Sequence, residues 1–311
     1  MSDSGELLCR FAADSHSADE ILLGFYDWLE AVGITPYPAQ EEAFMEIASE
    51  HHVILQTPTG SGKSLVATCA HLHAILKRQK SVYTSPIKAL VNEKYRGLCV
   101  LFGEANVGLL TGDHTLNPEA LILCCTAEVL ASMAANQWRD SDIACVIMDE
   151  FHYYADRQRG MAWQLPLFLL NQTQFLLMSA TLGDTTHIAD ALEARSQRQV
   201  SLVEGTDRPV PLSHHYLETG LQESIATLVE SSQTPCYVVA FTHNDVTRIA
   251  SGLLSITTID RAKRVELRDR LATQSFNTPF GKELKRLLLS GVGVHYGGML
   301  PRYRALVEQL A

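Results

Sequence analysis

The chain has 311 residues, of which 46% are hydrophobic, so it is long enough for about two domains and can bury a sizeable core. Its 35 Asp and Glu residues outnumber 25 Lys and Arg residues, and the net charge of −10 excludes a protein that coats nucleic acid by bulk positive charge. No apolar run approaches the ~18 residues that span a bilayer, and the acidic N-terminus is unlike a signal peptide. We therefore expect a cytoplasmic protein without a membrane partner.

Short apolar strands alternate with helical stretches through the first 205 residues. These runs are rich in Val, Ile and Leu with little polar alternation, which predicts strands covered on both faces by helices. We expect an open α/β domain with a parallel sheet and with ligands at the carboxyl ends of its strands. The predicted strands are Val53–Gln56, Ser81–Thr84, Val107–Leu110, Leu121–Cys125, Ala144–Met148 and Phe175–Met178, with helices between them such as Ser64–Gln79 and Ala89–Leu101.

The chain is predicted to have three segments. Residues 1–34 form an N-terminal helical segment, and residues 35–205 form the α/β domain. The stretch Val203–Pro211 contains one glycine and two prolines and is typical of a boundary. Residues 206–311 then form a second domain.

The second domain repeats the alternation with fewer strands. These strands are too few for a complete α/β sheet, so we expect a partial second α/β domain. Its predicted elements are strands at His215–Leu217, Cys236–Phe241 and Gly293–Tyr296, and helices at Leu221–Ser231 and Arg302–Leu310.

A glycine-rich segment, Thr57–Ser64, follows the first predicted strand and opens a helix. Glycines let the backbone curl so that successive N–H groups point at phosphate oxygens, and the helix adds its positive N-terminal end. Lys63 is predicted to reach the β- and γ-phosphates and Ser64 to ligate Mg²⁺. Thr57 stands where the P-loop pattern begins with glycine, and the alternative is an ordinary glycine turn. The predicted nucleotide-binding residues are Thr57, Thr59, Gly60, Ser61, Gly62, Lys63 and Ser64.

Two acids, Asp149 and Glu150, follow the predicted strand Ala144–Met148. Asp149 is predicted to hold Mg²⁺ through its waters, and Glu150 to orient and deprotonate the attacking water. The alternative is a solvated strand end. With the P-loop, whose Lys63 joins Glu150 as a predicted catalytic residue, the pair indicates an ATPase or GTPase.

The residues that follow resemble the motifs of superfamily 2 helicases. Asp149–His152 resembles their D-E-x-H box, and Ser179–Thr181 resembles their S-A-T motif. Tyr83–Leu90 resembles motif Ia, and Thr111–Asp113 and Thr126–Leu130 resemble strand-contacting motifs. The resemblance implies an ATP-dependent helicase or translocase of the DEAD/DEAH type. It also implies two RecA-like domains, with hydrolysis in the cleft between them and ATP and Mg²⁺ as cofactors.

Within the superfamily, the chain is most similar to superkiller-type RNA helicases, which feed RNA to exonucleolytic machines. The similarity lies in Thr84–Leu90, in Asn92 with Lys94–Arg96, and in Gly291–Pro301, where Tyr296 and Met299 depart from the family signature. The resemblance implies a single-stranded or partly duplex nucleic acid partner, with RNA favoured over DNA, and nuclease or accessory domains as further partners.

One departure from the family pattern concerns the second domain. We find neither motif V nor motif VI after Leu300, and motif VI carries the arginine that stabilises the transferring phosphoryl group. We therefore expect the isolated chain to be a weak ATPase or helicase. Two alternatives stay open: a DNA repair or recombination helicase, and an ATP-gated RNA-binding module that lacks turnover.

The resemblance also implies roles for residues outside the two phosphate motifs. Gln40 resembles the glutamine that reads the adenine edge, with a surface position near a helix start as the alternative. His152, Ser179 and Thr181 are predicted to hydrogen-bond at adjacent strand ends and to couple nucleotide state to domain closure.

Strand–helix junctions are the predicted nucleic-acid contacts, because free N–H groups and hydroxyls are available there. The alternative for each is a helix cap. A basic region from Arg261 to Arg286 is interpreted as a solvated helix face, and the aromatic residues Phe25, Tyr26 and Trp28 as packing rather than base stacking. The predicted contacts are Ser85, Pro86, Lys88, Gly112 and Thr126 in the first domain and Thr242 and His243 in the second.

Overall fold

The computed structural model describes residues 6–11, 17–136, 143–205, 211–256 and 258–311, without the side chain of Cys9. The described chain divides into two compact units, Met1–Leu212 and Ser213–Ala311. The predicted boundary Val203–Pro211 falls near this division, and its residues 206–210 lie outside the described residues.

An eight-stranded sheet forms the centre of the first unit. Its strand order is β4-β3-β5-β2-β6-β7-β1-β8, and every neighbouring pair is parallel except β3 and β4. All six predicted strands are present, so the predicted α/β fold with a parallel sheet is confirmed. The strands are β1 (His52–Gln56), β2 (Lys80–Ser85), β3 (Val107–Leu110), β4 (Thr115–Leu116), β5 (Ile122–Thr126), β6 (Ile143–Asp149), β7 (Gln174–Ser179) and β8 (Val200–Glu204).

Seven α-helices of the first unit surround this sheet in the described residues. A short 3-10 helix, Phe151–Ala155, follows β6 directly, and two others span Leu8–Arg10 and Glu104–Asn106. None of the described helices is both long and apolar enough to cross a bilayer. The α-helices are α1 (Ala18–Ala31), α2 (Pro38–Ala48), α3 (Lys63–Leu76), α4 (Lys88–Phe102), α5 (Ala127–Asn136), α6 (Gly160–Leu169) and α7 (Thr186–Ser196).

Both faces of the sheet are covered by apolar side chains. Alternate residues of one strand enter different clusters: Val53 and Leu55 of β1 lie in one, and Ile54 lies in the other. Helices α1 to α4 contribute to the first cluster, and α5 to α7 contribute to the second. This two-sided burial is the physical reason for the continuous apolar runs in the sequence.

Helix α1 packs into the core of the first unit. Phe25 and Trp28 are buried with ring centroids 5.6 Å apart, and Phe25 meets Phe44 of α2 edge-on at 5.2 Å. Tyr26 also lies against Phe44, at 6.1 Å. These aromatic side chains therefore serve packing, as predicted, and are not stacked for bases.

All regular elements in the described residues of the second unit are helices, which corrects a prediction. The three predicted strands at residues 215–217, 236–241 and 293–296 are not strands. A strand needs a neighbour for its backbone N–H and C=O groups, and the described second unit offers none; Tyr237 and Phe241 are 87% and 101% exposed. The helices are α8 (Leu221–Glu230), α9 (His243–Leu253), α10 (Arg261–Ala272), α11 (Pro279–Leu288) and α12 (Pro301–Leu310).

Candidate nucleotide site and nucleic-acid interface

The glycine-rich segment forms a curled loop between β1 and α3. Gly60 and Gly62 have φ angles of 88° and 75°, in the left-handed region that favours glycine. The buried Ser61 hydroxyl donates to the Thr57 hydroxyl at 2.6 Å and closes the loop across its base. This bond gives a structural reason for Thr57 at the position where the P-loop pattern has glycine.

Lys63 points into this loop from the first turn of α3. Its ammonium group donates to the carbonyl oxygens of Thr57 and Pro58, at 2.8 and 3.1 Å. Burial lowers the pKa of Lys63, and the carboxylates of Asp149 and Glu150 oppose that shift. The loop thus holds a cation close to two acids, where phosphate oxygens can replace the two carbonyl groups.

Gln40 braces the loop from α2. Its amide nitrogen donates to the carbonyl oxygens of Ser61 and Gly62, both at 3.0 Å, and its amide oxygen accepts from the backbone N–H of Tyr37 at 2.8 Å. Gln40 is 5% exposed, so it is not the surface residue of the alternative interpretation. Both amide hydrogens are used on the loop, and adenine recognition by Gln40 stays a prediction.

The predicted metal and base residues lie at the carboxyl end of β6. The Tyr83 hydroxyl donates to Asp149 Oδ2, and the Glu150 backbone N–H donates to Asp149 Oδ1 at 3.0 Å. Tyr83 is buried, and the Lys94 ammonium lies 5.1 Å from the centre of its ring. Each oxygen of the Asp149 carboxylate therefore accepts one hydrogen bond within the described chain and keeps a further lone pair for another partner.

The S-A-T segment, Ser179–Thr181, meets the D-E-F-H segment, Asp149–His152, at the ends of β7 and β6. His152 Nδ1 lies 3.2 Å from Ser179 Oγ and 3.3 Å from Glu150 Oε2. Ser179 Oγ also accepts from the backbone N–H of Thr181 at 3.3 Å. The expected bond between His152 and the Ser179 hydroxyl is thus present, whereas Thr181 takes part through its backbone and not through its hydroxyl. The coupling role of the three residues stays a prediction.

The residues present fit a Mg²⁺ ion that is shared with a nucleotide. No group of three or more His, Cys, Asp and Glu in the described chain is arranged to hold a metal by itself. Mg²⁺ usually binds one or two protein ligands and completes its shell with phosphate oxygens and waters. Asp149 offers free carboxylate lone pairs, and Ser64 offers an exposed hydroxyl in the first turn of α3.

The sheet order separates the predicted nucleic-acid contacts from the nucleotide site. The contacts follow β2, β3 and β5, which are neighbours in one half of the sheet, whereas the nucleotide motifs follow β6, β7 and β1 in the other. Lys88 forms an ion pair with Asp113, which brings the residues after β2 and β3 together. Lys88 and Gly112 are both exposed there.

Three of the predicted contacts have buried side chains. Ser85 is fully buried, and its hydroxyl has no hydrogen-bond partner in the described chain. Pro86 and Thr126 are also buried. A nucleic-acid strand at this surface would contact exposed groups such as Lys88 and Gly112 before it contacted these buried side chains.

In the second unit, Thr242 and His243 begin α9. The Thr242 hydroxyl accepts from the backbone N–H of Asp245 at 3.1 Å, so Thr242 is the helix cap of the alternative interpretation. His243 Nε2 lies 2.9 Å from the Gly297 carbonyl oxygen, and its ring lies 3.9 Å from that of Tyr296. The start of α9 is therefore joined to the family-like segment Gly291–Pro301.

Comparisons with known proteins agree with this arrangement. Residues 37–188 match the family model described as DEAD/DEAH box helicase. Superkiller complex protein 2 of Mus musculus is 30% identical over 87% of this chain and 27% of its own length. Residues 37–188 of the chain belong to the DEAD/DEAH box helicase family. The predicted likeness to superkiller-type helicases is confirmed.

Two further similarities were found. The protein named ATP-dependent RNA helicase mtr4 from Schizosaccharomyces pombe is 39% identical over 59% of this chain and 16% of its own length. The helicase domain of Pyrococcus furiosus Hef matches with a TM-score of 0.48 and 15% identity, over 91% of this chain and 60% of that chain. The chain thus spans 27% or less of the two relatives compared by sequence.

Two side chains at the site of this helicase-family chain were not predicted from the sequence. Tyr83 contacts Asp149, and Arg159 contacts residues after β2 and β5. Tyr83 stood inside the motif Ia resemblance, so its position was marked but its contact was not. Arg159 lies ten residues after the D-E-F-H box begins, and nothing in its local pattern distinguishes it.

Proposed function

We propose that this chain is the ATP-binding and strand-contacting part of an ATP-dependent helicase or translocase. The observation that carries the proposal is convergence: the loop follows β1 and the two acids end β6, and both strands pair in parallel with β7, so the loop and the acids lie at the same edge of the sheet. The carboxylates of Asp149 and Glu150 accordingly oppose the lowering of the Lys63 pKa by burial. A phosphate-binding cation beside two strand-end acids is what nucleoside triphosphate hydrolysis requires. RNA is favoured over DNA because relatives are named RNA helicases.

Each group has a part in the proposed hydrolysis. Lys63 and the loop N–H groups bind the phosphates, and Ser64 and Asp149 hold Mg²⁺, which when bound neutralises phosphate charge. Glu150 accepts a proton from the attacking water. Tyr83 keeps the Asp149 carboxylate oriented, and His152 positions the Ser179 hydroxyl beside Glu150.

Partners and location are further parts of the proposal. Nuclease or accessory domains are proposed because relatives carry the names superkiller complex protein and exosome RNA helicase. A cytoplasmic location agrees with the lack of a membrane-spanning helix among the described helices. Fractionation of cells that express the tagged protein tests the location, and co-purification tests the partners.

A module that binds RNA under ATP control without turnover is the second candidate. One observation favours it. Hydrolysis at related sites uses an arginine that stabilises the transferring phosphoryl group. Arg302 of α12 is not assigned that role: its guanidinium lies 4.7 Å from the Tyr303 ring centre and donates to the Tyr303 hydroxyl at 3.2 Å, within the second unit. A DNA repair or recombination helicase is the alternative among enzymes, because DNA-unwinding proteins share these motifs.

The deciding experiment measures ATP turnover with poly-RNA, with single-stranded DNA and without nucleic acid, alongside binding of a fluorescent ATP analogue. Stronger stimulation by RNA supports the proposal, and stronger stimulation by DNA supports the DNA helicase. ATP binding without turnover under any condition supports the RNA-binding module. Lys63→Ala should weaken analogue binding by roughly 100-fold, since two charge-assisted contacts are lost. Unchanged binding would show that the loop is not the nucleotide site.

A further inference from the structure

Arg159 lies directly before α6, in the turn that follows the 3-10 helix Phe151–Ala155. Its backbone N–H donates to the Asp156 carboxylate at 2.7 Å, which fixes the turn before Gly160. Its side chain then crosses from this turn toward the half of the sheet that holds the predicted nucleic-acid contacts. The Arg159 side chain is about one-third exposed, at 33%.

The guanidinium contacts three separate segments. Nη2 donates to the Pro86 carbonyl oxygen at 2.5 Å, and both Nε and Nη2 donate to Glu128 Oε1, at 2.9 and 2.6 Å. The centre of the guanidinium lies 5.6 Å from the centre of the Tyr153 ring. A planar, forked cation is suited to hold a carbonyl, a carboxylate and an aromatic face at once, and a lysine is not.

These three contacts join three strand ends. Pro86 follows β2, Glu128 lies in the first turn of α5 directly after β5, and Tyr153 belongs to the 3-10 helix directly after β6. The first two segments include Pro86 and Thr126, which are predicted nucleic-acid contacts. One side chain therefore sets the spacing of two nucleic-acid junctions and ties both to the segment that carries the candidate base.

We propose that Arg159 is a positioning residue that holds the junctions after β2 and β5 in the geometry that binds a single strand of RNA. The inference rests on the proposed function, because it takes these junctions as the strand-contacting surface. The competing role is a direct phosphate contact through Nη1, whose two N–H groups have no partner in the described chain. The two roles differ in how binding responds to salt.

The test measures binding of a fluorescently labelled single-stranded RNA by anisotropy over a series of salt concentrations. The proteins are the parent, Arg159→Ala, Arg159→Lys and the matched control Arg157→Ala, which removes an exposed arginine two residues away. We expect Arg159→Ala and Arg159→Lys to weaken RNA binding about tenfold, since a charge-assisted fork is lost in both. Arg157→Ala should bind within twofold of the parent.

The salt series separates positioning from direct contact. In a positioning role, the slope of log affinity against log salt concentration is the same for Arg159→Ala as for the parent. A direct phosphate contact would reduce the slope by about 0.7 for a single strand, and that result would overturn the inference. So would parental affinity in Arg159→Lys, since charge alone would then suffice.

Two controls keep the outcomes distinct. Binding of a fluorescent ATP analogue should be parental in every variant, which shows that the first unit is folded. If Arg159→Ala binds RNA like the parent, the inference is wrong and the proposed function stands. If the parent binds no RNA, the RNA part of the proposed function fails and the inference fails with it.

Discussion

Glu150 has a backbone conformation that few non-glycine residues adopt, with φ at 56°. This turn ends β6 and begins the 3-10 helix, so the Glu150 side chain points back toward His152 instead of continuing along the strand. Strained backbone of this kind persists where the surrounding structure determines it, and it is common at active sites. The geometry therefore agrees with Glu150 as the predicted base.

Glu150→Gln tests that role, because it keeps the shape and hydrogen bonding of the side chain and removes the base. We expect ATP binding to be retained and RNA-stimulated ATP turnover to fall by roughly 100-fold or more. Glu119→Gln, at an exposed residue that pairs only loosely with Lys80 at 3.5 Å, is the matched control. Equal turnover in Glu150→Gln and the parent would refute the role.

Tyr83→Phe tests whether the tyrosine hydroxyl orients Asp149. The substitution removes one hydrogen bond and keeps the buried ring under Lys94. Groups that orient a metal ligand typically contribute about 10-fold or more to metal affinity, so the Mg²⁺ concentration at half-maximal binding of the ATP analogue should rise by about that factor. Binding in excess EDTA should not change.

Two comparisons complete the Tyr83 experiment. Tyr95→Phe removes a hydroxyl from a tyrosine of α4 that does not contact Asp149, and it should leave the Mg²⁺ midpoint unchanged. Asp149→Asn should abolish the Mg²⁺ dependence. A parental midpoint in Tyr83→Phe beside a shifted Asp149→Asn would show that the hydroxyl has no orienting role.

At the scale of elements, helix α2 supports the loop between β1 and α3 through one side chain. Gln40 holds two loop carbonyl groups, and a methyl group at Gly62 would lie 2.3 Å from the Gln40 nitrogen. The helix and the loop are therefore fitted to one another. A change in either one should alter phosphate binding even though Gln40 is not in the loop.

Gln40→Ala separates support of the loop from adenine recognition. Loss of the two hydrogen bonds to the loop should weaken binding of ATP and of GTP analogues alike, by about tenfold. A larger loss of affinity for the ATP analogue than for the GTP analogue would support the adenine contact that the sequence predicts. Gln56→Ala, at a half-buried amide that bonds the Leu182 carbonyl outside the loop, is the control. Parental binding of both nucleotides would exclude the supporting role.

At the scale of the whole molecule, the coupling between nucleotide and strand is the property to test. Ser179→Ala combined with Thr181→Ala removes the Ser179 hydroxyl, which lies beside His152, and the hydroxyl of Thr181, whose backbone N–H bonds Ser179, and it leaves the loop untouched. We expect ATP binding to be largely intact and strand displacement per ATP hydrolysed to fall several-fold, because the hydrogen bonds that report nucleotide state are lost. Paired assays of turnover and of duplex unwinding measure the ratio. An unchanged ratio of strand displacement to ATP hydrolysis would show that these hydroxyls have no part in the coupling.

A related expectation concerns unwinding by residues 1–311 alone. No motif VI arginine was found in the sequence, and such an arginine contributes about 10³-fold or more in rate at related sites. We expect strand displacement by this chain to be weak. Robust ATP-dependent unwinding of an RNA or DNA duplex by residues 1–311 would show that the second unit was misread.

Several features followed from the sequence by itself. The six predicted strands of the first unit are present, because a strand buried on both faces leaves an unbroken apolar run. The loop Thr57–Ser64 and the pair Asp149–Glu150 were found from local spacing, since each function needs its residues next to one another in the chain. Motif order then indicated the helicase family.

Tertiary structure alone decided the rest. The contacts Tyr83–Asp149, Gln40–Gly62 and Arg159–Glu128 join residues 22 to 66 positions apart, and only the sheet order and helix packing bring them together. The segments predicted as strands at 215–217, 236–241 and 293–296 are not strands, because tertiary structure brings no described strand beside them. An apolar, β-branched segment becomes a strand only when a neighbouring strand accepts its backbone hydrogen bonds, and local sequence carries no record of that neighbour.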